Sequence, residues 1–409
     1  MAGILTMILA GGEGTRLYPL TEQRAKPAVP FGGNYRIIDF VLNNFVNSDL
    51  LQIYILTQFK SHSLMKHLRQ GWRVSGLTHR FIDPIPAQMR TGKKWYEGTA
   101  DAIYQNINLI EEEKPDLVCV FGADHVYKMD VRKMIDFHRQ KDALLTVGTI
   151  PVPIEKARSF GVVEIDDDWR MVGFQEKPKD NAKTIPGTEG YALASIGNYI
   201  FDAKVLVEVL KADAFDPQSN HDFGKDIIPS LYPSGGVYAY DFYNNEVPGM
   251  RERERGYWRD VGTIDEFWQA HMDLVAPDPI FDLYNQRWPM RTFHPPMPPP
   301  KFVHNLGERR GQALNSMVSS GSVISGGTVE ESVLGYNCHV HSYTHIKQSV
   351  LMGNVDIGEN CRISRAIIDK EVTIGPNVVV GEDLEKDRQR FFVSPGGVVV
   401  IPKGSHIVN

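Results

Sequence analysis

Ile4-Leu5-Thr6-Met7-Ile8-Leu9-Ala10-Gly11-Gly12-Glu13-Gly14-Thr15-Arg16-Leu17 is an apolar run that stops abruptly at glycines. This is the pattern of a buried strand feeding a tight anion-binding turn. Glycines place no Cβ between backbone N–H groups and a ligand's oxygens, so a polyphosphate can approach the amides directly. Arg16 sets a permanent cation beside the turn, and Lys26, in Arg24-Ala25-Lys26-Pro27, adds a second. Two familiar glycine signatures do not fit. A Walker loop needs Lys-Ser or Lys-Thr after its last glycine, where Thr15-Arg16 stands. The dinucleotide fingerprint needs a third glycine at the position of Leu17.

Outward from this turn, strand-like and helix-like segments alternate. A helical pattern spans Ile37 to Val46, a strand Ile53 to Leu56, and another helix His62 to Leu68. Helical spacing then runs from Thr99 to Glu112, followed by a buried strand Leu117 to Phe121, a helix Val131 to His138 and a strand Leu144 to Ile150. Such alternation predicts an α/β domain with a mostly parallel sheet covered on both faces. Ligands then bind at the carboxyl ends of the strands, where Gly11 to Arg16 sits.

Three further stretches carry chemistry. Val118-Cys119-Val120-Phe121-Gly122-Ala123-Asp124 ends a strand in glycine and a carboxylate, which either caps a turn or faces the phosphate crevice across a divalent cation. Gln175-Glu176-Lys177-Pro178 follows a hairpin of Val162 to Ile165 and Met171 to Phe174, and by itself reads as a charged turn. In Tyr257-Trp258-Arg259-Asp260-Val261-Gly262-Thr263, Thr263 and Glu266 have capping-box spacing for a helix to Leu274, so Asp260 lies just ahead of a helix start. Asp124 and Asp260 make a carboxylate pair of the kind that holds Mg²⁺ together with substrate phosphates.

The last quarter repeats by count. Val323, Val340, Ile357 and Ile374 are 17 apart, as are Val329, Ile346, Ile363 and Val380, and Leu334, Leu351 and Ile368. Internal steps of 6, 5 and 6 describe a hexapeptide repeat shortened by one residue per three-sided turn. This predicts a parallel β-helix with stacked aliphatic residues inside. β-Helices of this kind also occur in acyltransferases with a histidine base, and His339, His341 and His345 lie here, but without a coenzyme-binding motif. Pro295-Pro296-Met297-Pro298-Pro299-Pro300 marks an extended connector. The expected domains are 1–276, a Pro-rich linker 277–312 and a β-helix 313–409.

A length of 409 residues suggests two or three domains. A net charge of −6 argues against nucleic acid or an anionic membrane as the main partner, so cations for an anionic substrate must be concentrated locally. Three widely spaced cysteines without a Cys-x-x-Cys pairing point to a reducing compartment. Neither a signal peptide nor a membrane span is visible, and a cytoplasmic location is expected.

As a spaced set, Gly11 to Thr21 with Lys26-Pro27 closely resembles the signature of the sugar-phosphate nucleotidyltransferases. Longer strings, among them Phe31-Gly32-Gly33, Arg36-Ile37-Ile38-Asp39-Phe40, Thr57-Gln58, Trp95-Tyr96-Glu97-Gly98-Thr99-Ala100-Asp101 and His221-Asp222-Phe223-Gly224-Lys225-Asp226, look like those of the glucose-1-phosphate adenylyltransferases of bacterial glycogen synthesis. The resemblance runs from about Ile4 to Phe391. It implies a Rossmann-like nucleotidyltransferase domain followed by a left-handed β-helix, and transfer of an adenylyl group from ATP to glucose 1-phosphate.

It also implies roles. Arg16, Lys26 and Asp124 would be catalytic, with Asp124 and Asp260 holding Mg²⁺. Leu9, Gly11, Gly12, Gly14, Thr15, Gln88, Gly98 and Thr99 would contact the nucleotide. Tyr96, Gly161, Glu176, Lys177, Ser195 and Asp222 would line the sugar-phosphate pocket. A homo-oligomer, expected to be a tetramer, and a small-metabolite effector held by Arg24, Arg36 and Lys370 complete the implied picture. Relatives responding to fructose 1,6-bisphosphate and AMP often carry a lysine and an arginine where this chain has Gln23 and Glu112. A less charged activator, such as fructose 6-phosphate or pyruvate, and weak AMP inhibition are therefore expected.

Overall fold

The computed structural model describes residues 3–75, 79–88, 90, 94–185, 187, 188 and 190–408. Its first two thirds are built on one mixed sheet. The strands are β1 (Ile4–Ala10), β2 (Gln52–Thr57), β3 (Phe81–Pro86), β4 (Leu117–Gly122), β5 (Leu145–Pro153), β6 (Gly161–Ile165), β7 (Met171–Glu176), β8 (Tyr191–Asp202) and β9 (Val237–Asp241). They run in the order β7-β6-β8-β4-β1-β2-β3, with β5 joining β8 to β9.

Parallel pairing holds from β4 through β1 and β2 to β3. Along β1, Leu5 and Met7 face one buried cluster while Ile8 and Ala10 face another. The side chains alternate as a strand requires, and both faces are covered, as in a parallel sheet. The twelve-residue β8, which the sequence pattern did not reveal, runs antiparallel to β4, β5 and β6. The edge strand β3 was also unforeseen; it carries Pro84 and Pro86, which an edge tolerates.

Two helical expectations meet different outcomes. The helix α1 (Ile37–Asn47) forms where the periodicity places it. The spacing over Thr99 to Glu112 resolves instead into two short helices, Thr99–Tyr104 and Ile107–Glu113. Asn106 causes the break, because its side-chain amide donates to the Ala102 carbonyl at 2.8 Å and competes with the backbone ladder.

Beyond the mixed sheet, three sheets whose strands pair in parallel from coil to coil form the faces of the solenoid, the arrangement of a left-handed β-helix, with Phe392–Val393 added antiparallel at one edge. Val329, Ile346, Ile363 and Val380 stack in register, as do Leu334, Leu351 and Ile368. The first residue of the remaining ladder is corrected: Ile324, not Val323, pairs with Val340 and is fully buried. Gly326 and Gly327 shorten this corner by one residue. Gly326 has φ +79°, and a Cβ on Gly327 would lie 2.8 Å from the His341 carbonyl oxygen.

Residues 277–300 are pinned rather than loose: Phe281, Trp288 and Met290 are buried, and the Asn43 side-chain amide binds the Arg291 backbone as both donor and acceptor. Lys301–Val303, inside the stretch expected as linker, already pairs with Val323–Ser325 of the solenoid. The two domains share an apolar core, in which Leu17, Phe31 and Phe267 of the first meet Val350, Met352, Ile367, Val398 and Val400 of the second. The helix α2 (Ile264–Val275) carries Trp268, whose indole N–H donates to the Gln348 carbonyl at 2.8 Å while the Arg365 guanidinium covers its ring. No helix among the described residues is long and apolar enough to cross a membrane.

Candidate active site

The carboxyl ends of β1, β2 and β4 lie side by side, with Ala10 opposite Thr57 and Leu9 opposite Gly122. The residues that follow, Gly11, Gln58 and Asp124, therefore open onto one cavity of about 600 Å³. Gly14 adopts φ +65°, and a Cβ there would lie 2.9 Å from Lys26 Cβ, so the glycine turn packs directly on the Lys26 segment. Thr21 locks the contact by donating to the Gly14 carbonyl at 2.9 Å. A Cβ on Gly12 would meet nothing within 4 Å, which leaves that amide open to a ligand.

Asp124 and Asp260 come together through a ladder the sequence did not show. His125–Tyr127 pairs antiparallel with Trp258–Asp260, setting Asp260 opposite His125. Lys26 Nζ donates to both carboxylates, at 3.0 Å to Asp124 Oδ2 and 3.2 Å to Asp260 Oδ1, and its side chain is 7% exposed. Burial alone would lower the Lys26 pKa; Asp124 and Asp260 outweigh it and hold the ammonium above its usual range. Burial would likewise raise the Asp124 pKa, but His125, Lys26 and Arg16 keep that carboxyl well below the usual carboxylate range. Arg16 sits 3.9 Å from Asp260 and is 63% exposed, free to turn toward an anion.

These two carboxylates and the His125 ring offer ligand atoms within 4.8 Å of one another. The donor set fits a hard divalent cation. Each carboxylate commits one oxygen to Lys26, while the other has only longer contacts, Asp124 Oδ1 with His125 Nε2 at 3.5 Å and Asp260 Oδ2 with Arg16 at 3.9 Å. His125 was not singled out from the sequence, although it directly follows Asp124; its ring lies against Trp258 and its buried Nδ1 has no partner among the described residues.

The far end of the cavity is built on β6, β7 and β8. Glu176 ends β7, and a Cβ on Gly161 would meet its Oε2 at 3.1 Å, while one on Gly224 would meet it at 2.6 Å. Gly224 thus makes room for this carboxylate, and Gly161 chiefly for the Phe174 ring, whose Cζ would lie 2.4 Å from its Cβ. Lys177 has φ +45° and pairs with Glu176 at 3.0 Å while remaining largely exposed. Ser195 precedes a break in the β8–β5 register at which Gly197, with φ +71°, turns toward His125.

The third wall begins at Tyr96. Its amide donates to Gln58 Oε1 at 2.8 Å and its hydroxyl accepts from Asn106 at 2.9 Å. Gln58 carries no role in the sequence pattern; in the fold it positions the aromatic loop. Gly98 is required by contact, since a Cβ would lie 2.1 Å from the His221 carbonyl oxygen. Asp222 caps the turn that follows by accepting from the Gly224 and Lys225 amides, and Thr99 donates to its other oxygen at 2.9 Å.

The cavity thus gathers Leu9, Gly11, Gly12, Gly14, Thr15, Arg16, Lys26, Tyr96, Gly98, Thr99, Asp124, Gly161, Glu176, Lys177, Ser195, Asp222 and Asp260. Gln88 is the exception: it is exposed just past β3 and does not line the cavity, and Met89 beside it lies outside the described residues.

A second cavity, of about 430 Å³, opens at the domain junction and brings Arg24, Arg36 and Lys370 together. Arg24 donates to both oxygens of Asp369, at 2.7 and 2.6 Å, in a pair only 5% and 1% exposed. Arg36 is held by the Ala28 and Ser63 carbonyls. Burial, then Arg36 and Arg24, lower the Lys370 pKa to about 8, against the pull of Asp369 and Glu371. Gln23 lines this cavity, but Glu112 does not. Glu112 is exposed near the end of its helix, so within one chain it has no geometry for repelling an anion bound here.

Residues 5–276 match the nucleotidyl transferase family, and residues 298–401 match the GlmU-like C-terminal hexapeptide family. Over its whole length and theirs, the chain is 55% identical to glucose-1-phosphate adenylyltransferase 1 of Vibrio parahaemolyticus and 55% identical to glucose-1-phosphate adenylyltransferase of Aliivibrio fischeri. It is 57% identical to glucose-1-phosphate adenylyltransferase 1 of Vibrio cholerae, again over the full length of both.

Proposed function

The chain belongs to the nucleotidyl transferase family and, within it, to the glucose-1-phosphate adenylyltransferases, and on that premise we propose how the residues of its large cavity divide the work. The enzyme transfers the adenylyl group of ATP to glucose 1-phosphate, giving ADP-glucose for glycogen synthesis and releasing pyrophosphate. A phosphate oxygen of the sugar phosphate forms a bond to the α-phosphorus while the bond from that phosphorus to the departing pyrophosphate breaks. No covalent nucleophile is needed, so catalysis is positioning plus electrostatic stabilisation.

One observation carries the division of roles: the glycine turn that follows β1 and the Glu176–Lys177 pair that closes β7 line a single cavity although their strands are not neighbours in the sheet. Gly11, Gly12, Gly14 and Thr15 offer amides to the triphosphate, and Arg16 and Lys26 hold it. Gly98 and Thr99 border the nucleoside, with Leu9 beneath it. Lys177 grips the sugar phosphate and Glu176 its hydroxyls, with Tyr96, Gly161, Ser195 and Asp222 shaping the pocket around them. Nucleotidyl transferases of this kind use a divalent metal. Mg²⁺ is the ion that suits Asp124 and Asp260, and when bound it supplies charge neutralisation at phosphoryl oxygens.

The junction cavity is the proposed effector site, with Arg24, Arg36 and Lys370 facing an anionic metabolite of modest charge. A homotetramer and a cytoplasmic setting belong to the same reading and rest on the family resemblance and the cysteine pattern.

Pyrophosphate release with glucose 1-phosphate, compared across the four nucleoside triphosphates, tests the reaction. ATP should support the highest kcat/KM. A higher value with another nucleotide, or no release with any, would overturn it.

A further inference from the structure

On the outside of the solenoid, lining neither cavity, two histidines and a carboxylate converge. His339 and His341 flank Val340, which is turned fully into the apolar core, so both rings leave the same outer face. Their centroids are 3.9 Å apart with the planes inclined by 29°. Asp356, register partner of His339 on the next coil, places Oδ1 2.9 Å from His341 Nε2 and 4.0 Å from His339 Nδ1. One ligand atom from each of the three lies within 4.8 Å of the others.

A histidine–aspartate hydrogen bond explains His341 and Asp356 but not His339. Its ring makes no hydrogen bond among the described residues, yet a nitrogen faces the same carboxylate oxygen. Two protonated rings stacked this closely would repel. The backbone beneath is stiff: the His339 amide donates to the Val355 carbonyl at 2.8 Å and the His341 amide to the Ile357 carbonyl at 3.0 Å.

We propose that His339, His341 and Asp356 form a three-ligand site for a borderline divalent metal of the Zn²⁺ class, separate from the carboxylate pair of the active site. Two imidazole nitrogens and one carboxylate oxygen are the donors Zn²⁺ favours, and three protein ligands leave an outward position for water. Ligand atoms around a tetrahedral Zn²⁺ lie about 3.3 Å apart, so small side-chain rotations on the fixed ladder close the site. The metal would tie two successive coils together. Unlike Mg²⁺, which takes oxygen ligands and retains several waters, it would select the nitrogen-rich cluster.

The test is calorimetric titration of the full chain, stripped of metal, with Zn²⁺ in the presence of excess Mg²⁺, paired with Co²⁺ absorption spectra. Wild type and Asp124→Asn should each take up one Zn²⁺ per chain at this site and show the visible bands of low-coordinate Co²⁺. His339→Gln/His341→Gln should lose both signals while keeping the metal-free melting temperature and Mg²⁺-supported turnover of wild type. Asp356→Asn should weaken Zn²⁺ by at least the roughly 10- to 100-fold that even an outer-shell partner costs, and it decides the matter should the double variant not fold. Zn²⁺ uptake that survives the loss of these ligands, that disappears only in Asp124→Asn, or that is absent from wild type would overturn the proposal.

Discussion

The two cavities handle positive charge in opposite ways. In the active site the buried cation is compensated, with Lys26 lying between Asp124 and Asp260, while Arg16 and Lys177 stand exposed, each beside one carboxylate. At the domain junction Arg24, Arg36 and Lys370 crowd together, and Asp369 is bound to Arg24 alone of the three guanidinium and ammonium groups. A compensated centre can accept a cation and a polyanion together. An uncompensated one favours an anion alone; burial first, and then the neighbouring Arg36 and Arg24, lower the Lys370 pKa to about 8.

The sharpest way to break this contrast is at the compensated end. Asp124→Asn should fold normally but lose turnover by about 10³- to 10⁵-fold, or roughly 4 to 7 kcal/mol of transition-state stabilisation, because a neutral amide holds Mg²⁺ poorly. Steady-state kinetics over a range of Mg²⁺ concentrations, with a thermal melt as control, measures it. Near-normal turnover would remove Asp124 from the reaction.

Next in size is the buried Arg24–Asp369 pair of the junction. Asp369→Ala strands the Arg24 guanidinium in a buried setting and should destabilise the chain by about 3 kcal/mol or slightly more. Chemical denaturation followed by fluorescence reads the loss, and an unchanged midpoint would show the pair to be energetically idle.

Lys177→Ala tests one of the exposed cations. A charge-assisted hydrogen bond is worth roughly 1.5 to 3 kcal/mol, so the KM for glucose 1-phosphate should rise about 10- to over 100-fold while that for ATP moves far less. Equal losses for both substrates would place the lysine on the triphosphate or make it structural.

The smallest effect belongs to the uncompensated end. Charge on Lys370 is complete well below its pKa and lost above it, so activation by an anionic metabolite should weaken several-fold as pH rises through about 8. Arg36→Ala should blunt activation by fructose 6-phosphate or pyruvate at every pH. Activation curves that ignore both changes would locate the effector elsewhere.

Sequence legibility followed the range of the interactions. The glycine turn was readable as a local string at the end of a strand, whereas Asp124 and the Glu176–Lys177 turn, local strings too, drew their roles from the family resemblance. The 17-residue period was readable because each coil repeats the last, and its one misplacement, at Val323, came from a corner shortened at two glycines. Unreadable was whatever depends on pairing between distant segments. The His125–Tyr127 ladder that carries Asp260 to Asp124 joins segments more than a hundred residues apart. β8 escaped notice because Ser195 and Gly197 interrupt its apolar pattern at the register break that shapes the site. Arg24 enters the sequence reading as an implied effector residue, and only the fold shows it buried against Asp369, 345 residues away.

The core shared by the two domains bears on how the chain is made. Leu17 and Phe267 flank the catalytic centre in sequence, yet they pack against Met352, Val398 and Val400, which are synthesised after them. Domains generally fold from the N-terminus during synthesis, but here the sheet can form early while the ground beneath the glycine turn stays incomplete. A ribosome-bound chain halted before residue 350 should therefore hold a folded sheet without a competent active site. Adenylyl transfer begins only once the solenoid has emerged and closed the core from below.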